Sequence, residues 1–119
     1  MHFWKVNGAG NDFIILSALT SDLTEERLSA LAKHLCHRRR SIGADGLIAV
    51  LPPEGKADFR MLFFNADGTI GEMCGNGVRC ICRFGYELGL SGEKQTIETT
   101  AGLIPGKRLS EREYRVRLN

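Results

Sequence analysis

The stretch Asn65-Ala-Asp-Gly-Thr-Ile-Gly-Glu-Met-Cys-Gly-Asn-Gly-Val-Arg-Cys80 decides how this chain folds. Its first four residues, Asn65 to Gly68, carry the Asp-Gly signal of a tight turn. Cys74 then stands directly before Gly75-Asn-Gly77, and from there Val78, Ile81, Cys82, Gly85 and Leu88 recur at helical spacing. The pattern predicts a helix from about Gly75 to Leu88, closed by Gly89. Cys80, Ile81, Phe84 and Leu88 spread apolar surface over most of its faces, which predicts an enclosed helix. A cysteine at a helix start faces unpaired backbone N–H groups and the positive end of the macrodipole. Both favour thiolate over thiol. The same N–H groups can bind a carboxylate, so one small loop can hold an anionic ligand and an active base.

Upstream, residues 1–7 and 12–17 read as two short strands joined by the glycine-bearing turn Asn7-Gly-Ala-Gly-Asn11. Residues 24–37 read as an amphipathic helix with Leu28, Leu31, Ala32 and Leu35 on its apolar stripe. Asp22 or Thr24 caps it, the former as the aspartate of a capping-box pattern ending at Glu25. Leu47–Leu51 and Ala57–Phe64 read as buried strands separated by Pro52, Pro53 and Gly55. Downstream, residues 94–100, 102–105 and 112–118 supply the last strands. The sum is one α+β domain over residues 1–119, with a twisted, mainly antiparallel, barrel-like sheet wrapped around one buried central helix. Trp4 and the phenylalanines are assigned to its core.

Composition narrows the function classes. The 119 residues are 43% hydrophobic and 25% charged, with net charge +2. The basic run His37-Arg-Arg-Arg40 complements the end of a helix, and no basic stripe continues it, so nucleic acid is not an expected partner. No apolar run approaches the roughly 20 residues that span a bilayer, so no membrane partner is expected. The start Met1-His-Phe-Trp-Lys-Val6 lacks a secretory pattern, which leads to the expectation of a cytoplasmic protein with reduced cysteines. Cys36, Cys74, Cys80 and Cys82 form no CxxC pair, and their spacing does not fit a structural zinc site, so no metal is expected.

Three polar, glycine-flanked spots stand where the regular pattern breaks: residues 8–13, 65–68 and 74–77. Asparagine offers both donor and acceptor there, which suits a zwitterionic amino acid. Asp12, Asp45 and Asp67 read as turn acceptors rather than acids or bases. Together, Asn7-Gly-Ala-Gly-Asn-Asp-Phe13, Ile42-Gly-Ala-Asp-Gly46, Phe64-Asn-Ala-Asp-Gly68 and Met73-Cys-Gly-Asn-Gly-Val-Arg-Cys80 resemble the diaminopimelate epimerase family, in the family's order and at family-like spacing. The resemblance runs over essentially the whole chain but covers only the first of the family's two similar halves.

The resemblance implies a pyridoxal-phosphate-independent, metal-free isomerase of amino-acid biosynthesis. Its reaction interconverts L,L- and meso-2,6-diaminopimelate, a precursor of lysine and peptidoglycan. Two cysteines, one from each half, flank the substrate α-carbon, one as thiolate base and the other as thiol acid. Cys74 matches the cysteine of the first half, and Asn11, Asn65, Gly75 and Asn76 match substrate-binding positions. Gly75 and Asn76 would offer backbone N–H groups to the α-carboxylate, and Asn11 and Asn65 would bind by side chain. Cys36, Cys80 and Cys82 are poor substitutes for the second cysteine. The first lies near a helix end, where the dipole disfavours thiolate, and the others lie within the helix pattern. The expectation is therefore a chain inactive by itself, lacking its C-terminal half, with an exposed apolar face that favours dimerisation or low solubility. A homodimer lending Cys74 from each copy is compatible with this. Two alternatives are a non-catalytic amino-acid-binding or interaction domain and a proline racemase-like enzyme. The latter type carries His where this chain has Asn76.

Overall fold

A computed structural model describes residues 3–8, 11–17, 23–37, 45–71, 75–109 and 114–116. The elements run β1 (Phe3–Gly8), β2 (Asn11–Ser17), α1 (Glu25–Leu35), β3 (Gly46–Leu51), β4 (Phe59–Asn65), α2 (Gly75–Glu87), β5 (Lys94–Thr99), β6 (Gly102–Arg108) and β7 (Tyr114–Val116). The strands lie in chain order across one sheet. Four neighbouring pairs are antiparallel, whereas β2/β3 and β4/β5 are parallel. The architecture is α+β and mainly antiparallel, as its sequence suggests.

The two parallel pairs position everything else. A parallel pair needs a crossover, and α1 and α2 are the crossovers. Such connections are right-handed as a rule. Both step the same way across the sheet, but β4 runs opposite to β2, so one shared hand puts the helices on opposite faces. The two apolar clusters have this composition. Ile14, Leu16, Leu47, Ala49, Leu62 and Phe64 pack with Leu28, Ala32 and Leu35 of α1. Phe13, Ile15, Ile48, Val50, Phe59, Met61, Ile97 and Ile104 pack with Val78, Ile81, Cys82 and Phe84 of α2. Successive residues of β2, β3 and β4 thus alternate between two cores. Strands buried on both faces read as unbroken apolar runs, which explains the poor alternation of residues 13–16 and 47–50.

Local chemistry sets the ends of α1. Thr24, in extended conformation, is the N-cap, and its Oγ1 accepts the Arg27 N–H at 3.2 Å. Asp22, the other sequence candidate, lies outside the described residues. Cys36 closes the helix by donating its N–H to the Ala32 carbonyl, and it is buried. Helix α2 is buried or half-buried at most of its described side chains and exposed along one stripe. Val78, Ile81 and Cys82 are fully buried, whereas Arg79 and Arg83 are exposed and Arg83 Nε lies 2.9 Å from Glu87 Oε1. An exposed i,i+4 pair contributes about 0.3–0.5 kcal/mol, while each buried Val or Ile contributes about 1.5–3. Packing therefore holds α2. Leu88 lies just past its end and is exposed. Trp4 is 38% exposed, with its ring edge on Phe84, so it borders the core rather than filling it. As the large side chain of an edge strand, it has a core on one side only. Among the described residues, no helix is long and apolar enough to cross a membrane.

A carboxylate clamps the loop between β3 and β4. Glu98 accepts the N–H groups of Glu54 at 2.9 Å and Gly55 at 2.7 Å. These two bonds, with Arg60 nearby, hold its carboxyl below the usual range. A depressed folded-state value means that the contribution is present above the unfolded carboxylate range and lost as pH falls through the folded value. Acidification from pH 7 toward 3 is thus expected to loosen residues 54–58 before global unfolding. The test is amide hydrogen exchange at Glu54 and Gly55, and Glu98→Gln should flatten its pH dependence. An unchanged profile in that variant would show that the clamp does not act this way.

Candidate active site

Strand register builds the floor of the site. Gly8 pairs with Asn11, Phe13 pairs with Gly46, and Gly46 pairs with Asn65. The end of β1, the starts of β2 and β3 and the end of β4 therefore share one rim of the sheet. Asp12 and Asp45 lock the middle of that rim. Asp12 N–H donates to Asp45 Oδ2 at 2.7 Å, and Asp45 N–H donates to the Asp12 carbonyl at 2.9 Å. The turn-acceptor reading of Asp45 holds, and its partner is the residue beside Asn11.

Topology brings the start of α2 to the same rim. A crossover from β4 to a parallel β5 must begin where β4 ends. After Asn65 the chain turns at residues 66–68, and Ile70 pairs back onto Phe64. Gly71 N–H donates to the Phe63 carbonyl at 2.8 Å. The β4/β5 pairing is confined to Phe59–Ile97 and Arg60–Glu98, so this returning segment lies along the upper part of β4 beyond the reach of β5. A Cβ on Gly71 would sit 2.5 Å from Phe63 Cδ1, and one on Gly46 would sit 2.7 Å from Phe63 Cε2. Glycine at both positions lets the rim close around that ring.

The two helix starts differ in electrostatics. α1 has Glu25 and Glu26 in its first turn, under a threonine cap. α2 starts Gly75-Asn76-Gly77-Val78 with no acidic side chain in its first turn. Among the described residues of that turn no carboxylate offsets the positive end, where an anion would be worth about 0.3–1 kcal/mol. Glycine costs about 1 kcal/mol relative to alanine within a helix. Two glycines in one turn weaken the helix where its N–H groups are most approachable.

The residues singled out from the sequence fall as follows. Asn11 is the first residue of β2, and Gly75 and Asn76 are the first two of α2. Asn65 is the last residue of β4, and its exposed side chain donates from Nδ2 to Thr69 Oγ1 at 3.0 Å. Cys74 lies outside the described residues, one position before α2 begins. Asn11, Asn65 and the helix start are thus brought to one rim by pairing and topology. Asp67 accepts from Thr69, in keeping with its reading as a turn acceptor, whereas Thr69 is a feature the sequence reading did not include. The signal for it was the Asp67-x-Thr69 spacing of an Asx turn.

The other thiols are placed differently. Cys82 is fully buried, and burial pushes its thiol up to about 12. Its backbone carbonyl accepts from buried Gln95 Nε2 at 2.7 Å. Cys36 is buried and Cys80 half-buried. Cys82 is therefore expected to resist iodoacetamide at pH 8 in the folded chain and to react on unfolding, as read by site-resolved mass spectrometry. Rapid native labelling of Cys82 would contradict the burial.

A model of the diaminopimelate epimerase family matches residues 3–116. The diaminopimelate epimerase of Moorella thermoacetica is 51% identical over 112 residues, which cover 93% of this chain and 39% of that protein. A Bacillus anthracis phenazine biosynthesis protein of the PhzF family superposes with TM-score 0.69 at 28% identity, covering 97% of this chain and 38% of that one. A probable proline racemase from Agrobacterium radiobacter, solved with bound carbonate, superposes with TM-score 0.70 at 18% identity, covering 96% of this chain and 40% of that one, a likeness of fold. The chain spans about two fifths of the length of the proteins it matches. With a family match running from the first described strand to the last, this chain belongs to the diaminopimelate epimerase family.

Proposed function

We propose that this chain supplies one catalytic face of a cofactor-independent diaminopimelate epimerase, with Cys74 as the thiol that exchanges the substrate α-proton. The convergence of Asn11, Asn65 and the acid-free start of α2 on one rim of the sheet supports this reading most strongly. Cys74 immediately precedes that helix in sequence. A free cysteine is a few per cent thiolate at pH 7. A helix dipole worth about 1 kcal/mol multiplies the thiolate population roughly fivefold. The N–H groups of Gly75 and Asn76 would receive the substrate carboxylate, onto which the charge of the deprotonated α-carbon spreads. Asn11 and Asn65 would orient the remainder of the amino acid.

A thiolate on one side cannot invert a stereocentre by itself, because the proton must return to the opposite face. The opposing acid would come from the part of the family fold that the matched two fifths does not include. The sheet is read as curling part-way around α2, because α2 touches β1 and β2 at one end and β6 and β7 at the other. The exposed side of α2, with Arg79 and Arg83, would then face the second half.

The test joins the chain to the second half of a two-half relative and supplies L,L-diaminopimelate in D2O. Deuterium should enter one α-carbon as meso product forms, without added pyridoxal phosphate. The unjoined chain should give no exchange. Exchange with proline and not with diaminopimelate would favour the proline racemase-like alternative, and binding with no exchange in the joined protein would favour a non-catalytic domain.

A further inference from the structure

Asn65 is held by a directed chain of hydrogen bonds. Asp67 Oδ1 accepts both the Thr69 N–H at 2.9 Å and the Thr69 hydroxyl at 2.6 Å. An ionised carboxylate only accepts, so the single hydroxyl proton of Thr69 is committed to Asp67. Thr69 Oγ1 then has lone pairs alone to offer to the Asn65 amide 3.0 Å away, and the group facing it must be the donor Nδ2. A flipped amide would set oxygen against oxygen with no proton between them. The turn itself is fixed by Gly68 N–H to the Asn65 carbonyl and by Asn65 N–H to the Thr69 carbonyl. Ser29 of α1 donates its hydroxyl to the Gly68 carbonyl and ties the turn to the helix. On the far side, a Cβ on Gly71 would stand 3.0 Å from Asn65 Oδ1, so glycine there clears the oxygen.

We infer that Thr69, oriented by Asp67, is a positioning residue that fixes which way the Asn65 amide faces, leaving Oδ1 and the second N–H toward a ligand at the rim. This rests on the reading of Asn65 as a substrate-binding residue. Thr69 itself is a partner of the binding group and makes no ligand contact in this scheme. Its hydroxyl matters for polarity and its methyl does not, so serine should replace it and isosteric valine should not.

The test has two arms. In the 119-residue chain, NMR relaxation of the Asn65 side-chain amide should give an order parameter of about 0.8, falling below about 0.6 in Thr69→Val and retained in Thr69→Ser. Asp67→Ala frees the hydroxyl proton and should populate both amide orientations. In the chain joined to a second half, Thr69→Val should raise KM for diaminopimelate about tenfold with kcat within twofold, and Thr69→Ser should restore KM. A wild-type amide that is mobile, or one unmoved by Thr69→Val, overturns the inference. So does a Thr69→Val effect confined to thermal stability with KM unchanged. Asn65→Ala separates the two readings. If it leaves KM unchanged, substrate binding by Asn65 fails. If it raises KM while Thr69→Val does not, only the positioning role fails.

Discussion

Cys74→Ala in the chain joined to a second half is expected to lower α-proton exchange by about 10²- to 10⁴-fold, the usual contribution of one positioned proton-transfer group. The loss should fall on kcat, with KM for diaminopimelate changed little, because in the proposed site the carboxylate would be held by backbone N–H groups that the substitution leaves in place. Cys74→Ser should fare almost as badly, since the helix dipole acts on a hydroxyl far too weakly acidic to be ionised. Cys82→Ala is the internal control. Its thiol is sealed in the core and held protonated by burial, so the variant should lose some stability and keep its rate. Equal loss of rate in both variants would mean that Cys74 matters for folding rather than chemistry.

The second large effect is on stability. Phe59→Ala is expected to cost about 3–5 kcal/mol, the range for removing a buried aromatic ring. Phe59 is fully buried at the first position of β4. It pairs with Ile97 in the short parallel contact that joins β1–β4 to β5–β7. α2 also packs tightly on its ring, because a Cβ on Gly85 would stand 2.7 Å from Phe59 Cε1. Two halves of the sheet and one helix therefore share this side chain. A loss of that size is a large fraction of the roughly 5–15 kcal/mol that holds a typical domain together. Urea unfolding should show a lower midpoint at similar slope. Trp4→Ala removes a larger ring but a partly exposed one at the sheet edge, and should cost markedly less. A Phe59→Ala cost below that of Trp4→Ala would contradict the placement of the core.

The helix after Cys74 and its glycine-rich start were legible because they combine a periodic signal with a break in it. α1 was legible too, to within a residue or two at each end, since its cap and stripe lie in one local segment. The parallel pairings were not. Phe13 to Leu16 and Leu47 to Val50 are continuous apolar runs, and such runs do not disclose direction, partner or the existence of two separate cores. Arg79, Arg83 and Glu87 carried the signal of an exposed stripe on α2, which the abundance of apolar neighbours masked. Trp4 was assigned inward by residue type, yet edge position decided its exposure. Asn11 and Asn65 were singled out by the family resemblance, since their glycine-flanked loops alone read equally as turns. That they share a rim follows from a register two strands wide, which no local pattern encodes. Thr69 escaped notice because its part depends on which partner takes its single proton.

The most direct test of the central claim is the pH dependence of alkylation at Cys74 in the folded chain, followed by site-resolved mass spectrometry. A thiol activated by the start of α2 should show a midpoint below the roughly 8.5 of free cysteine. Meso-diaminopimelate should slow its labelling in the chain joined to a second half. A midpoint at or above that value, with labelling indifferent to the amino acid, would contradict the account.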